Sequence, residues 1–514
     1  MLDATPLLRL YARHRAKELA AERPTEAQEA ELRRLLSRAA ATSFGQRHAF
    51  ARLGSVADFQ RATPLRRYED FWREYWQAAF PRLGGLSWPG AIPYLAVTSG
   101  TSSGTTKYIP VSREMLAANR RAVLDMFTHH LGNRPRSRVL GGRNFMLGGS
   151  TALTREAPGV WSGDLSGIAA KEVPLWARPR YFPPLKEALA VDWEAKIARL
   201  APLSLATDIR TVSGTPSWLL IFFDKLAALR PELPHRLASY YPNLELLVHG
   251  GVNFAPYRRR FEALLAGGHA ELREIYAASE GFIALADRGT GEGLRLILDN
   301  GLFYEFVPLE ELAGPAPVRH WIADAETNVN YALVLSSCAG LWAYVLGDTV
   351  RLVERTPPRI LITGRTSYSL SAFGEHLIDE EIEEAVARAA AAIDAGVGDY
   401  AVAPLYPEGE GERGGHLFVV EFANAVPEEA ALRHFAERLD EALAAANADY
   451  AAHRSGGYGM RAPAIRAVAP GGFARWMKSR GRLGGQHKVP RIVNDAALFK
   501  ELLAFLDKDG VRSR

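Results

Sequence analysis

The chain reads as an α/β protein in which a large mixed-sheet domain precedes a smaller α+β domain. Three observations predict this. Between residues 92 and 363, short apolar runs rich in β-formers alternate with stretches of helical periodicity, the pattern of a sheet covered by helices. At Gly364-Arg365 the pattern resets, and the residues beyond it have their own set of helices and strands. At 514 residues the chain is too long for a single core, and 48% hydrophobic with 23% charged residues is ordinary for globular domains. The predicted domains are 1–365 and 366–514.

The elements follow in order. The first eighty residues are helical, at 7–21, at 25–41 after Pro24, and at 69–77. A strand at 92–97 runs into a loop of glycines and hydroxyls that closes on Lys107, and a helix at 113–131 follows. Strand 139–147 precedes helices 191–201 and 217–229, the second entered through Gly214-Thr215-Pro216. Strand 244–249 leads through Gly250-Gly251 to helix 256–266, and strand 272–277 ends before Ser279-Glu280-Gly281. β segments at 282–286, 294–298, 303–307, 330–336, 340–346, 349–353 and 359–363 complete the first domain. In the second, helix 379–393, strand 399–405, a glycine-rich turn at 408–415, strand 416–422, helix 427–446 and strand 464–467 make a split β-α-β unit.

Composition narrows the function. The 62 basic and 58 acidic residues nearly cancel, and no basic run is interleaved with aromatics, so nucleic acid is not a predicted partner. The single cysteine, Cys338, excludes an intrachain disulfide framework and lies in apolar surroundings that suit a small buried residue. The histidines show no zinc-type spacing. No run approaches the apolar length of a membrane span, and residues 1–21 lack the apolar centre of a secretory signal, so the expected location is cytoplasmic and no membrane partner is expected.

The chemistry concentrates in a few places. Residues 97–107 read Val-Thr-Ser-Gly-Thr-Ser-Ser-Gly-Thr-Thr-Lys. Glycines allow close approach of backbone to an anion, hydroxyls and N–H groups donate to phosphate oxygens, and a lysine adds a point charge. The loop lacks the Gly-Lys-Ser/Thr order of a Walker motif, and a solvated turn has a similar composition. Gly250 and Gly251, at the carboxyl end of a strand, leave room for a flat ligand, as does any ordinary strand-to-helix turn. Tyr276 can stack on a base and Glu280 can hold Mg²⁺; a buried tyrosine and a solvated glutamate fit the pattern equally. Asp348, directly after an apolar strand and Gly347, can accept both hydroxyl protons of a ribose, or cap a turn. Arg365 sits at the predicted domain joint, where it can reach a phosphate or simply face solvent. Lys488 lies in a second glycine-bearing loop, Gly484-Gly485-Gln486-His487-Lys488-Val489-Pro490-Arg491.

The order of these motifs carries more than any one of them. A Thr-Ser-Gly-Thr-Ser loop, a strand-end Gly-Gly, Tyr276-Ala277-Ala278-Ser279-Glu280, Tyr344-Val345-Leu346-Gly347-Asp348, Gly364-Arg365 and the late Gln-His-Lys-Val-Pro-Arg resemble the adenylate-forming superfamily of acyl-CoA synthetases, peptide-synthetase adenylation domains and luciferases. More narrowly they resemble the auxin-responsive Gretchen-Hagen-type acyl-acid amido synthetases, in a compact microbial-type form, over about residues 95–491. The resemblance implies a large N-terminal ATP- and acyl-binding domain of mixed α/β type with a β-barrel-like portion. It also implies a small mobile C-terminal α+β domain, with the active site between the two. It implies ATP and Mg²⁺ as cofactors, and a ligase that adenylates a small carboxylic acid and passes the acyl group to an amine, usually an amino acid.

Carried over by position, Ser99, Thr101, Ser102 and Lys107 would hold phosphates, with Gly100 and Gly104 shaping the same loop. Gly250, Gly251 and Tyr276 would border adenine, with Ser279 beside them. Glu280 would be the magnesium or phosphate-side acid, Asp348 would hold ribose, Arg365 would contact nucleotide at the hinge, and Lys488 would come from the small domain toward the reacting groups. The chain departs from the family pattern at Ser103, Ala278, His487 and, above all, at Ala343 and Val345, where arginines are usual. Two other readings stay open: transfer to the thiol of coenzyme A or of a carrier protein, and a nucleotide-binding protein without turnover. Leu116, Val123, Phe127, Thr211, Val212, Ser213, Trp218 and Phe222 are candidate acyl-pocket walls or plain core.

Overall fold

The computed structural model describes residues 2–98, 106–148, 153–184, 187, 193–251, 254, 257–289, 291–312, 314–366, 369–370, 372–375, 377–407, 409, 412–455, 459–480 and 489–512. They divide into two compact units, one running to Thr366 and the other following it. No described helix is long and apolar enough to cross a membrane.

The first unit is organised by a twelve-stranded sheet. Its spatial order is His320–Trp321, Leu302–Pro308, Asn330–Ser337, Tyr344–Arg355, Pro358–Arg365, Leu294–Leu296, Gly281–Leu285, Glu271–Ala278, Leu246–Gly250, Ile209–Gly214, Arg143–Leu147 and Tyr181–Phe182. The sheet has two characters. From Tyr181–Phe182 to Glu271–Ala278 neighbouring strands are parallel. From Glu271–Ala278 onward every pairing is antiparallel. Strand Glu271–Ala278 is the junction. Parallel strands need crossover connections, and these are the helices at Trp193–Leu205, Pro216–Leu229 and Arg258–Leu265. The β-rich portion is the antiparallel half, where Leu302–Pro308 and Gly281–Leu285 are buried along their whole length.

A smaller sheet of four strands, in the order Lys107–Val111, Tyr94–Thr98, Val160–Gly163, Thr154–Ala157, stands beside the large one in the same unit. Helix Arg113–Asn133 begins at Ser112, whose hydroxyl accepts from the Met115 N–H at 2.9 Å and donates to the Cys338 carbonyl at 2.6 Å. One residue thus caps a helix and ties it to the turn before strand Tyr344–Arg355. That turn is packed tightly. Gly340 has φ +93 and a side chain there would lie 2.5 Å from Ser87 Oγ, while the buried Trp342 donates its indole N–H to the Ser87 carbonyl at 2.9 Å. Cys338 is buried, and burial pushes its thiol up to about 12.

Three expectations need correction here. Residues 340–346 and 349–353 are not two strands: 340–343 form the turn, and Tyr344–Arg355 is one strand that continues through Gly347 at φ +98. Asp348 therefore lies inside a strand, in register with Arg365 of the antiparallel neighbour, rather than in a turn after one. Arg365 correspondingly ends strand Pro358–Arg365 rather than standing in a linker. The backbone explains this, since the N–H of Thr366 still reaches the Gly347 carbonyl at 2.8 Å and carries the pairing past the glycine.

The second unit holds a three-stranded sheet, Val397–Leu405, Gly415–Phe422 and Ala464–Val468, the first pair antiparallel and the second parallel. The β-α-β crossover joins adjacent strands, so it is not split by an intervening strand as expected. Alternation is clean: Tyr400, Val402, Phe418 and Val420 face the core with helices Asp379–Ala392 and Glu429–Ala446, while Ala401, Ala403 and Val419 face Phe473, Trp476, Phe499 and Leu502. The second layer comes from helices Gly472–Ser479 and Ala496–Arg512, which the sequence reading stopped short of.

Candidate active site

The carboxyl ends of parallel strands at a change of sheet character are where open α/β sheets leave a crevice. In this unit those ends carry Gly214-Thr215, Gly250-Gly251 and Ala278-Ser279-Glu280. Gly250 sits opposite Ile275 in the parallel ladder, and a Cβ there would lie 2.4 Å from the Ile275 carbonyl, so the two strands approach too closely for any side chain. Gly251 has φ +88, a conformation that L side chains rarely adopt.

One residue beyond Ile275, Tyr276 is buried, with its hydroxyl donating to Asp348 Oδ2 at 2.5 Å. The aromatic and the acid predicted from separate motifs are thus brought together across strands distant in sequence. Asp348 is itself the register partner of Arg365, so backbone pairing brings a third predicted residue beside it. Ser279 follows in the turn, half-buried, and the buried Glu280 is next.

The Glu280 carboxylate acts on the Tyr344 phenol. Burial, then the Glu280 and Glu69 charges, push that phenol well above its ordinary value, so Tyr344 stays protonated and remains a donor. Glu69 also faces Lys107, whose ammonium lies 3.6 Å from Glu69 Oε1 and 5.4 Å from the centre of the Tyr68 ring. Lys107 opens strand Lys107–Val111 as the register partner of Thr98, at the base of the hairpin whose loop holds the phosphate-type motif. Tyr344 enters the sequence only as the first residue of the Tyr344–Asp348 motif, with no role of its own, and Glu69 belongs to no motif. The first is hidden inside an apolar strand, the second inside what reads as a surface helix.

Several predicted groups fall elsewhere. Ser99, Gly100, Thr101, Ser102, Gly104 and Lys488 lie outside the described residues, and of Arg365 only the backbone is described. Arg491, three residues after Lys488, is anchored in the second unit: its carbonyl accepts from the Val402 N–H at 2.7 Å and its guanidinium reaches Glu383 at 2.8 Å. Ala343 and Val345, where the resemblance implies arginines, are both buried, and Ala343 adopts φ +47. The nearby Arg66 contacts Glu74 at 3.0 Å through its guanidinium and stacks over Phe44. Of the candidate acyl walls, Phe222 packs between Phe145 and Phe223, Phe127 joins the core with Val248 and Phe282, and Val123 is 39% exposed, so these three do not form a wall together.

Known proteins resemble this chain over much of its length. Residues 13–147 match the GH3 family N-terminal domain, 295–365 the GH3 family central domain, and 380–497 the GH3 family C-terminal domain. An indole-3-acetic acid-amido synthetase, GH3.8 of Oryza sativa subsp. indica, is 28% identical over 303 residues, which is 54% of this chain and 47% of that protein. GH3.4 of Arabidopsis thaliana, of the same description, is 25% identical over 286 residues, 52% of this chain and 47% of that one. The chain thus spans about half the length of these curated relatives. Among solved structures, GH3.15 acyl acid amido synthetase superposes with a TM-score of 0.61 at 18% identity, covering 99% of this chain and 97% of that one. A 2-hydroxyisobutyryl-CoA ligase bound to its acyl-adenylate and CoA gives 0.57 at 18% identity, covering 94% and 93%. At that identity the likeness is one of fold.

Proposed function

This chain belongs to the GH3 family, and from that membership we propose that it is an ATP-dependent, AMP-forming ligase that joins a small carboxylic acid to an amine, in the first instance an amino acid. The observation that supports this most is the meeting of Tyr276 and Asp348 at the carboxyl edge of the sheet, with Arg365 in register. A carboxylate so placed can accept the two hydroxyl protons of a ribose, and the turn at Gly251, where a Cβ would meet only Thr215 Oγ1 at 3.8 Å, leaves space for a flat base.

The reaction has two steps. A carboxylate oxygen of the acid attacks the α-phosphorus of ATP, the bond to the pyrophosphate oxygen breaks, and pyrophosphate leaves. The amine nitrogen then attacks the acyl carbon, the acyl–oxygen bond to AMP breaks, and the amine releases its proton to solvent. The first step brings like charges together. Lys107 opposes them at the hairpin base, and the loop of Ser99, Gly100, Thr101, Ser102 and Gly104 would supply hydroxyl and N–H donors. Glu280, with its oxygen donors and an oriented phenol behind it, fits Mg²⁺, which takes one or two carboxylates with phosphates and water. Bound there, magnesium would reduce the repulsion between the incoming carboxylate and the phosphates. Ser279 would line the base, and Lys488 would serve the reacting carboxylate and α-phosphate.

The test is product analysis by mass spectrometry, with ATP and Mg²⁺, over a panel of carboxylic acids combined with either amino acids or coenzyme A. AMP together with an amide supports the reading. AMP with a thioester moves the acceptor to a thiol. Absence of AMP with every acid rejects ligation.

A further inference from the structure

We propose that Glu69 is a positioning residue for the nucleotide phosphates, acting through Lys107; this rests on the ligase reading above. The ammonium of Lys107 sits 3.6 Å from Glu69 Oε1, and the lysine side chain is only 10% exposed while that of Glu69 is 38% exposed. A lysine has a long stem with many rotamers, so an ammonium ready for a phosphate must be held there by something. Glu69 is placed to do so from a fixed frame. The Tyr68 hydroxyl accepts the Tyr108 N–H at 3.0 Å, which locks the Tyr68-Glu69 turn to the strand that begins with Lys107. On the other side, the Arg66 N–H donates to the Ala343 carbonyl at 3.0 Å and the Arg66 carbonyl accepts from Val345 at 2.9 Å. The short segment from Arg66 to Glu69 therefore bridges the Lys107 strand and the strand of Tyr344 and Asp348.

The charge pattern gives this pair its weight. Ala343 and Val345 are buried and uncharged, and Arg66 pairs with Glu74. Lys107 is the cation that this frame presents at the hairpin base. Glu69 keeps the ammonium over the Tyr68 ring at the hairpin base, and its charge also acts on Tyr344, the phenol on which Glu280 acts. When phosphates arrive, the lysine needs only a small displacement rather than a search through rotamers.

The experiment is a double-mutant cycle on Glu69 and Lys107, read in initial rates of pyrophosphate release and, separately, in ATP·Mg²⁺ binding by calorimetry. Glu69→Gln is expected to raise the KM for ATP about tenfold with kcat within about twofold, because the loss falls on phosphate binding. Glu69→Asp should recover to within about threefold, and Lys107→Ala/Glu69→Gln should be no worse than Lys107→Ala, since residues acting as one unit are not additive. An unchanged or lowered KM in Glu69→Gln, or losses that multiply in the double variant, overturns the proposal. ATP binding without turnover on any acid sinks the ligase reading but still decides Glu69 through the calorimetric cycle. No ATP binding by the wild-type chain sinks both.

Discussion

The two ends of one strand, Glu271–Ala278, treat their carboxylates in opposite ways. At the amino end, Glu271 is gripped by cations and strong donors: Arg273 at 3.0 Å through both Nε and a terminal nitrogen, His130 Nδ1 at 2.6 Å and Asn133 at 3.0 Å. Arg273 is fully buried and also donates to the Ala286 carbonyl. At the carboxyl end, Asp348 takes a hydrogen bond from the phenol of Tyr276, and the buried Glu280 acts on the phenol of Tyr344. A guanidinium cancels a carboxylate's charge, whereas a phenol orients the carboxylate and leaves its charge in place. The difference separates a carboxylate committed to folding from carboxylates that keep their charge: Glu271 begins the strand, Glu280 follows its end by two residues, and Asp348 is joined to it from a strand distant in sequence.

The contrast can be tested at the folding end first. Arg273→Met should destabilise the protein by about 3–5 kcal/mol in chemical denaturation, because it strands Glu271 in a buried site. Its KM for ATP should be unchanged in the folded fraction. A smaller effect is expected from pH at the same place. Burial raises the Glu271 carboxyl, but the His130 hydrogen bond and the Arg273 charge outweigh it and bring the group down to about 2 from 4.5. A depressed carboxyl stabilises the fold above its unfolded value, and that stability is lost as pH falls toward 2. The wild-type chain should lose about 3 kcal/mol from this group between pH 4.5 and 2, and Glu271→Gln should show a correspondingly flatter pH dependence of the unfolding midpoint.

At the other end, Asp348→Ala should leave stability within about 1 kcal/mol and reduce acid-dependent pyrophosphate release by at least about a hundredfold, the scale of removing one preorganised group that meets the reacting ligand. Tyr344→Phe should be the mildest, lowering kcat about tenfold through Glu280 while shifting the unfolding free energy by about 1 kcal/mol, the worth of one hydrogen bond. Equal losses of stability from Arg273→Met and Asp348→Ala would erase the contrast between the two ends.

The sequence made much of this legible, and where it failed the reasons are physical. Strand Leu302–Pro308 and helix Arg113–Asn133 announce themselves, the one by a continuous apolar run and the other by a serine cap and helical periodicity. Tyr276, Glu280 and Asp348 stand out because acids and aromatics at strand ends interrupt an apolar pattern. The turn at 340–343 does not stand out. Its apolar residues read as strand, and only the close approach of Gly340 to Ser87 and the positive φ of Ala343 reveal it. Asp348 reads as a turn residue because periodicity cannot register that Gly347 at φ +98 lets the pairing continue. The roles of Glu69 and of Tyr344, the latter visible only as the start of a motif, are hidden for a different reason: they lie in which distant residues the two side chains meet. Helix Ala496–Arg512 is absent from the predicted elements, although Phe499, Leu502 and Leu506 are buried at helical spacing.

The most direct test of the central claim, that the carboxyl end of this strand serves a nucleotide, is acid-dependent ATP–pyrophosphate exchange in the wild-type chain and in Asp348→Ala. Exchange that requires both a carboxylic acid and Mg²⁺, and that Asp348→Ala abolishes, is the predicted result. Exchange that persists unchanged in Asp348→Ala, or no exchange with any acid despite measurable ATP binding, would contradict the account.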